Sequence, residues 1–457
     1  MNASTQNQPA VPDDSAIERW LPAWNRLAFL AFCLSTVFMV LLSVLATQGW
    51  PPPYNHFATG LAAMGPVALS CFPLLYRRTV SLQWFLSSAG FFLLLLLAWL
   101  NSLNSPVPMT TLKAIGLFLL TGPVAFWLGL VFFRKEKNRN VFLWMLSAVL
   151  SVLLFLGWVV ERTEGVHLNF SPSTYALTFS DYHYPGFSWF RFMFFERYHN
   201  EIVLTLSNPI SAGSSLLLLI AGPLLLLRRE RRTPLKVFLG FLLVGAAGLI
   251  VLIGKKSTLL ALLVAALIAV SRHPEWIKKT VAGLLITSAL AWAAKPALIA
   301  EYTRGFTDNA SYGLRLESWR FGVDVFLSDP LLGIGFNAPL IDRLEGYAPS
   351  GNAEQFKRHL RINNTLENMP LTLLAETGLL FVLAYGMFLW PALKRLPGLF
   401  KTDVSSLLLI ACLGGFVVHS LTFDSLRNPA LNWLFHSLLA LLTAVPAHDK
   451  PTCKPAR

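Results

Sequence analysis

Long apolar runs separated by short polar connections dominate the chain. Many of these runs approach the roughly 20 residues that a helix needs to cross the hydrocarbon core of a bilayer. The pattern therefore predicts an all-α fold, a polytopic transmembrane helical bundle of about twelve spans. The predicted spans are approximately 27–47, 57–76, 82–101, 111–133, 141–160, 202–227, 235–253, 257–271, 280–299, 371–393, 404–422 and 429–446.

Basic residues gather in the short connections, as in RKEKNR at 134–139 and RRERRTPLK at 228–236. Clusters of Lys and Arg in short loops mark the cytoplasmic side of a membrane protein. They predict the following organisation, in chain order: a cytoplasmic segment 1–26, spans one to five in 27–160, an outward loop 161–201, spans six to nine in 202–299, a large outward loop 300–370, spans ten to twelve in 371–446 and a cytoplasmic tail 447–457.

The composition agrees with this organisation. Of the 457 residues, 54% are hydrophobic and only 13% are charged, whereas a soluble domain carries about 25% charged residues. The net charge of +13 is explained by the cytoplasmic clusters, so we predict no nucleic-acid partner. The four cysteines show neither paired metal spacing nor a disulfide framework. Neither a P-loop nor a dinucleotide fingerprint occurs, so we predict no cofactor and no metal.

The two outward loops are longer than connectors, and loops of that length are usually functional or disordered. The loop 161–201 is rich in aromatic residues, which predicts that it lies on the membrane or packs as a lid. The loop 300–370 contains YGLRLESWRFGVDVFLSDP, whose apolar residues have helical spacing before a stop at Asp329-Pro330. The LLGIGF segment follows, and its glycines predict a tight turn close to other backbone.

Several polar residues lie at the outward ends of predicted spans, where ionisable groups are costly. They are the candidate site residues: Lys255, Lys256, Arg315, Glu367, Asn368, His419, Asp424 and Arg427.

Each of these residues also has an ordinary structural explanation. The two lysines could be anchors that extend to the membrane interface, and Arg315 could be a solvated charge. Asp424 and Arg427 could form a local ion pair, and His419 could be a hydrogen-bonded interior residue. Glu367 could stabilise the start of span ten electrostatically, with Thr365 as the N-cap of that helix.

Convergence of these groups favours the functional interpretation. Two or three cations and one carboxylate at the outward side could surround a diphosphate: Arg and Lys would bind the anion and offset charge on a departing pyrophosphate. The carboxylate would accept a proton from an attacking hydroxyl. Because the chain shows no nucleotide site, the substrate would have to be activated beforehand and linked to a lipid.

From about 200 to 446 the sequence resembles the O-antigen ligase and polymerase superfamily, which are integral-membrane glycosyltransferases of the C-type fold class. The resemblance depends on the order and spacing of SNPISAGSSLLLL, GKKSTLLALLVAAL, YGLRLESWRFGVDVFLSDPLLGIGF, ENMPLTLLAETG and FDSLRNPALNWLF. It implies a bacterial inner-membrane enzyme with its active site facing the periplasm. The reaction would be metal-independent and inverting, from an undecaprenyl diphosphate-linked glycan donor to a glycan or lipid A-core acceptor.

The resemblance also implies residue roles. Arg315 matches the family's loop arginine, Lys256 stands where a second arginine is usual, and Asp424 matches a late acidic position. Glu367-Asn368, followed by Gly378, replaces the His-Asn and downstream Gly that are typical of the family's ligases.

The implied catalytic residues are Glu367, Asn368 and Arg315, with Arg315, Lys256 and Lys255 binding the diphosphate. Asp424, Arg427 and His419 would support them.

Three functions follow from these observations. The first is transfer of surface polysaccharide or lipopolysaccharide glycans, by a polymerase or a ligase, with a slight preference for polymerase because Glu replaces His. The second is a transporter or flippase of lipid-linked glycans. Against it, the sequence shows neither charged pairs deep in spans nor matched broken helices in two halves. The third is a scaffold among envelope polysaccharide assembly proteins, with membrane lipid as its surroundings.

Overall fold

A computed structural model describes residues 14–41, 60–70, 82–163, 165–171, 174–178, 190–198, 201–202, 209–253, 255–272, 309–349, 353–402 and 404–444. Within these ranges helices predominate. They are α1 (Asp14–Leu41), α2 (Gly60–Ser70), α3 (Leu82–Asn104), α4 (Pro108–Thr121), α5 (Pro123–Phe132), α6 (Glu136–Thr163), α7 (Pro209–Leu219), α8 (Ala221–Arg229), α9 (Thr233–Ile253), α10 (Lys256–Val270), α11 (Asn309–Ser328), α12 (Ala353–Asn363), α13 (Met369–Leu393), α14 (Leu396–Thr402), α15 (Val404–Ser420) and α16 (Pro429–Ala444). Short 3-10 helices occur at Leu340–Arg343 and Ser425–Arg427.

Helical segments that could cross a membrane are the main feature of the fold. In the described ranges six are long and apolar enough: Leu21–Leu41, Pro108–Phe132, Glu136–Gly157, Ile210–Arg229, Thr233–Val251 and Met369–Leu399. Five shorter apolar helices accompany them: Gly60–Ser70, Ser88–Asn104, Lys256–Val270, Val404–Ser420 and Pro429–Ala444. The chain is a multi-pass membrane protein, as predicted. The predicted span 280–299 and the segments 1–13 and 445–457 lie outside the described residues, so the total of twelve spans stays a prediction.

A small antiparallel sheet lies in the segment predicted as the first long loop. Its strands are β1 (Gly165–Ser171), β2 (Thr174–Thr178), β3 (Phe190–Tyr198) and β4 (Glu201–Ile202), in the order β2-β1-β3-β4. The β1–β3 register shifts between Val166 and His167, which marks an irregularity in that pair. Aromatic residues are enriched in strands, so the aromatic composition of this segment suits strands as well as the membrane surface that we expected.

Helix α16 lies at the centre of the bundle, because its residues from Ala430 to Thr443 are all buried. A helix that is apolar on every side is buried on every side. The Trp433 indole donates 2.9 Å to Thr36 Oγ1 on α1, and its ring lies 5.2 Å from that of Phe32. The Asn432 amide donates 2.8 Å to the carbonyl of Phe118 on α4. These contacts join the first and last helices of the described residues in one core.

Candidate active site

Helix α13 is broken at Gly378, its tenth residue, and the break shapes the site. Gly378 has φ 76 and ψ 171 inside the helix, a conformation that essentially only glycine adopts. The freed amide of Leu379 donates 2.8 Å to the carbonyl of Pro330. A Cβ on Gly378 would lie 2.3 Å from the carbonyl oxygen of Leu331. The break therefore exists because a loop backbone lies directly against the helix.

That loop is the LLGIGF segment, which follows α11. Helix α11 ends at Ser328, directly before the stop that the sequence predicted at Asp329-Pro330. Gly333 has φ 71, and a Cβ there would lie 2.5 Å from the carbonyl carbon of Glu376. The amide of Gly335 donates 2.9 Å to the carbonyl of Glu376. The predicted tight turn against other backbone is confirmed.

Asn101 of α3 holds the loop and the broken helix together. Its side-chain nitrogen donates 2.6 Å to the carbonyl of Leu332 and 2.7 Å to that of Glu376, and its side-chain oxygen accepts from the amide of Phe336 at 3.0 Å. Sequence reasoning missed Asn101, because a lone amide at the end of a span looks like an ordinary interfacial residue.

Arg315 and Glu367 are in direct contact. The Nε of Arg315 on α11 donates to Oε2 of Glu367 at 2.8 Å, and the two side chains remain 34% and 23% exposed. Glu367 has a φ of 51, an uncommon conformation for a residue with a side chain. Its amide donates 3.0 Å to Thr365 Oγ1, which holds the turn. The partial exposure means that a ligand can reach both charged groups.

Asp424 ties this turn to the start of α13. The carboxylate is 5% exposed and accepts hydrogen bonds from the hydroxyl of Thr365, the amide of Asn368 at 3.0 Å and the hydroxyl of Thr372 at 2.9 Å. The expectation that Thr365 caps α13 is wrong. Asn368 is the N-cap, and its Oδ1 accepts from the amide of Leu371 at 3.1 Å.

The main partner of Arg427 is Glu376, a residue that the sequence analysis did not select. Glu376 lies on α13 with no exposed surface, and its Oε1 forms an ion pair with Nη2 of Arg427. Asp424 is the more distant partner, with 3.9 Å between its Oδ2 and Arg427 Nη1. Burial lowers the pKa of the Arg427 guanidinium, but the Glu376 and Asp424 carboxylates outweigh burial and raise that pKa above its usual value. Arg427 is therefore a fixed positive charge.

His419, in the last turn of α15, is fully buried. Its Nδ1 lies 3.0 Å from the Ser214 hydroxyl of α7 and 3.2 Å from that of Ser425. These contacts fit an interior, hydrogen-bonded histidine.

Lys255 and Lys256 stand at the start of α10, Lys255 as the N-cap residue and Lys256 as the first helical residue. Both are half-buried. One turn further on, the Thr258 side chain packs at Gly213, where a Cβ would meet it at 2.6 Å. Gly213 precedes Ser214, the partner of His419, so the two lysines lie at the same end of the bundle as His419.

Taken together, a chain of contacts runs from Arg315 through Glu367, Thr365 and Asp424 to the turn that carries Arg427 and Ser425. Within the described residues, no group of three or more His, Cys, Asp and Glu side chains is arranged to hold a metal ion. The available chemistry is a partly exposed carboxylate beside a partly exposed guanidinium, supported by buried charges. That combination can bind an anion and accept a proton.

Comparison with known proteins supports the resemblance drawn from the sequence. Residues 202–386 match the family model described as O-Antigen ligase. The matched segment contains both lysines, Arg315, Glu367 and Asn368, as well as Glu376, whereas His419, Asp424 and Arg427 lie beyond it. No curated protein matches the chain. The family supports a glycan-transferring function of the O-antigen ligase or polymerase type.

Proposed function

We propose, from the O-antigen ligase domain at residues 202–386, that this membrane protein is a glycan polymerase or ligase of the bacterial inner membrane. Its donor would be a glycan linked to undecaprenyl diphosphate, and its acceptor a sugar hydroxyl at the periplasmic face. The observation that carries the proposal is the partly exposed ion pair between Arg315 and Glu367 at 2.8 Å. A base and an anion-binding group stand side by side where a lipid-linked substrate could enter.

In the proposed reaction Arg315, Lys256 and Lys255 bind the diphosphate. Guanidinium and ammonium groups make charge-assisted hydrogen bonds to phosphate oxygens. The acceptor hydroxyl attacks the anomeric carbon of the donor sugar from the face opposite the diphosphate, and Glu367 takes the hydroxyl proton. The sugar–phosphate bond breaks with its electron pair moving to the leaving diphosphate. The configuration inverts, and the cations stabilise the departing charge in place of a metal.

The contact between Arg315 and Glu367 implies that donor binding precedes proton transfer to Glu367. The guanidinium is in contact with the carboxylate that would act as the base. A diphosphate carries more negative charge than one carboxylate and would compete for Arg315. Donor binding would then release Glu367 towards the acceptor hydroxyl. The base would become available only when the leaving group is already bound.

The remaining site residues hold this arrangement. Asn368 and Asp424 orient the Glu367 turn through the hydrogen bonds described above. Arg427 and His419 lie in the interior of the protein and would support the Glu367 turn from there. Glu367 occupies the position where the family's ligases carry His, and this replacement favours a polymerase slightly over a ligase.

Purified protein tests the transfer directly. Wild type, Glu367→Gln and Arg315→Ala would be assayed for glycan transfer from an undecaprenyl diphosphate-linked donor. We expect transfer by wild type and at least a hundredfold loss in both variants; near-normal turnover by both variants would remove the proposed chemistry.

Surface glycans of a deletion strain, separated on a gel, distinguish polymerase from ligase activity. Accumulation of single repeat units indicates a polymerase, and full-length polymer stranded on the carrier indicates a ligase.

One observation favours the second candidate, a transporter or flippase of lipid-linked glycans. Broken helices and ionisable residues buried within spans are common at transport sites, and α13 has both a break at Gly378 and the buried Glu376. Movement of donor lipid between leaflets of a proteoliposome, without covalent transfer to an acceptor, would establish that function instead.

A further inference from the structure

Glu376 has no part in the mechanism above, and the contacts of its buried ion pair with Arg427 lead to the base. Arg427 Nη1 donates 2.7 Å to the carbonyl of Asn364, which lies three residues before Glu367. The other carboxylate oxygen of Glu376 accepts from the amide of Asn337 at 2.8 Å. The ion pair therefore joins four segments: helix α13, the turn before α16, the loop after α11 and the turn that carries Glu367.

The backbone at these contacts is unusual. Among the described residues, the non-glycine residues with positive φ are Asn337 at 60, Asn364 at 44 and Glu367 at 51. Asparagine adopts the left-handed region readily, whereas a glutamate in it needs surrounding contacts to hold it. Glu376 holds the first of the three and Arg427 holds the second. The third is the proposed base itself.

Asn364 extends the connection between these segments. Its side chain accepts from the amide of Leu340 at 2.8 Å and donates to the carbonyl of Ala338 at 3.2 Å. The turn 364–368 is thereby fixed at its start by Arg427 and the 337–340 loop, and at its end by Asp424. Glu367 lies between these two attachments, on a turn with little freedom to move.

We propose that Glu376 is a positioning residue, which sets the place of the Glu367 carboxylate through its ion pair with Arg427. This inference rests on the proposed function, because it assigns Glu376 a part in the same transfer reaction. Catalytic groups displaced by as little as about 1 Å lose much of their effect. Loss of the pair would leave the donor site with its cations but let the base shift.

The test measures kcat and the donor KM of the purified full-length protein with an undecaprenyl diphosphate-linked glycan. Glu376→Gln keeps the shape of the side chain and removes its charge. We expect kcat to fall at least tenfold, with the donor KM changed less than threefold. Glu376→Asp keeps the charge on a shorter side chain, and we expect it to recover part of the lost kcat.

Thr377→Val is the matched control. Thr377 is the neighbouring buried polar residue, and its hydroxyl bonds only within the helix, to the carbonyl of Leu373 at 2.7 Å. We expect its kcat to stay within threefold of wild type. Equal values of kcat for Glu376→Gln and Thr377→Val would overturn the proposal. So would failure of both Glu376 variants to fold, because the pair would then serve the fold rather than the base.

The activity of wild-type protein distinguishes a failure of the proposed function from a failure of the positioning role of Glu376. If wild type transfers no glycan, the proposed function fails, and with it the role assigned to Glu376. If wild type transfers glycan, Glu367→Gln abolishes transfer and Glu376→Gln leaves it intact, then only the positioning role is wrong.

Discussion

Arg315 Nε and Glu367 Oε2 lie 2.8 Å apart, although the two residues are 52 positions apart in the sequence. The pair joins helix α11 to the turn before α13 and leaves both side chains partly exposed. An exposed ion pair contributes little to stability, typically about 0–1 kcal/mol. The pair therefore matters less for the stability of the fold than for ligand binding, because both charged side chains are partly exposed. Two predictions about the site follow from this.

Replacement of Arg315 should weaken donor binding and slow transfer. Arg315→Ala removes the charge, and we expect kcat/KM for the donor to fall about 100-fold. Arg315→Lys keeps the charge but loses the planar guanidinium fork, so we expect a loss of roughly tenfold. Steady-state assays across donor concentrations give these ratios. Arg320→Ala, on the same helix and 63% exposed, is the control, and an equal loss there would contradict the role of Arg315.

Glu367→Gln should separate catalysis from donor binding. Without the carboxylate the acceptor proton has no base, and we expect kcat to fall on the order of 10²–10⁴-fold. Because Arg315 loses its anionic partner, donor affinity should stay the same or rise. Equilibrium titration with the undecaprenyl diphosphate-linked donor measures that affinity. Glu354→Gln, an 86% exposed glutamate, is the control. Weaker donor binding by Glu367→Gln would show that the carboxylate helps to hold the donor.

Asp424→Asn should affect both activity and stability. The carboxylate accepts hydrogen bonds from two hydroxyls and one amide, and asparagine offers only one oxygen. Each lost bond to a charged acceptor is worth about 1.5–3 kcal/mol, so we expect a lower thermal unfolding temperature in detergent. Transfer should fall about tenfold, since the Glu367 turn loses one of its attachments. Asp342→Asn, at an exposed position, should change neither value; wild-type activity in Asp424→Asn would contradict the prediction.

Two glycines of the same helix should respond in opposite ways to alanine. Gly378→Ala forces a Cβ to within 2.3 Å of the Leu331 carbonyl at a positive φ, so we expect a loss of roughly 2–5 kcal/mol. Gly386 has open space around it, and Gly386→Ala should gain about 0.5–1 kcal/mol from helix propensity. Thermal unfolding of the purified variants measures the difference. Equal stability of the two variants would contradict the tight packing of the loop backbone against Gly378.

Local sequence signals predicted much of this architecture. The predicted spans 404–422 and 429–446 match helices Val404–Ser420 and Pro429–Ala444, because apolar runs and a Pro at the first helical position are local features. The sequence predicted that Arg315 and Glu367 converge, because both belong to the outward charged groups, but it did not predict their direct ion pair. The catalytic and binding roles of these residues remain predictions.

Contacts between distant segments could not be predicted in this way. Gly378 lies in an apolar run that looks like an unbroken helix, and it departs from helical geometry because a loop some 45 positions earlier packs against it. Glu376 lies in the same run, and its partner Arg427 comes 51 positions later. Nothing local connects these residues, so the sequence did not indicate that they pair.

Asn101 provides a final test, since it lies outside the segment that matches the family. Its side chain makes hydrogen bonds to the loop at Leu332, to the backbone of Glu376 and to the amide of Phe336. Asn101→Leu leaves these buried groups unpaired, so we expect a loss of about 2–5 kcal/mol and a parallel fall in transfer. Ser102→Ala removes only a bond within the helix, to Ala98, and should cost less than about 1 kcal/mol. Thermal unfolding and transfer assays on both variants decide whether α3 supports the site. If Asn101→Leu were as stable and active as Ser102→Ala, the hydrogen bonds of Asn101 would not support the proposed site.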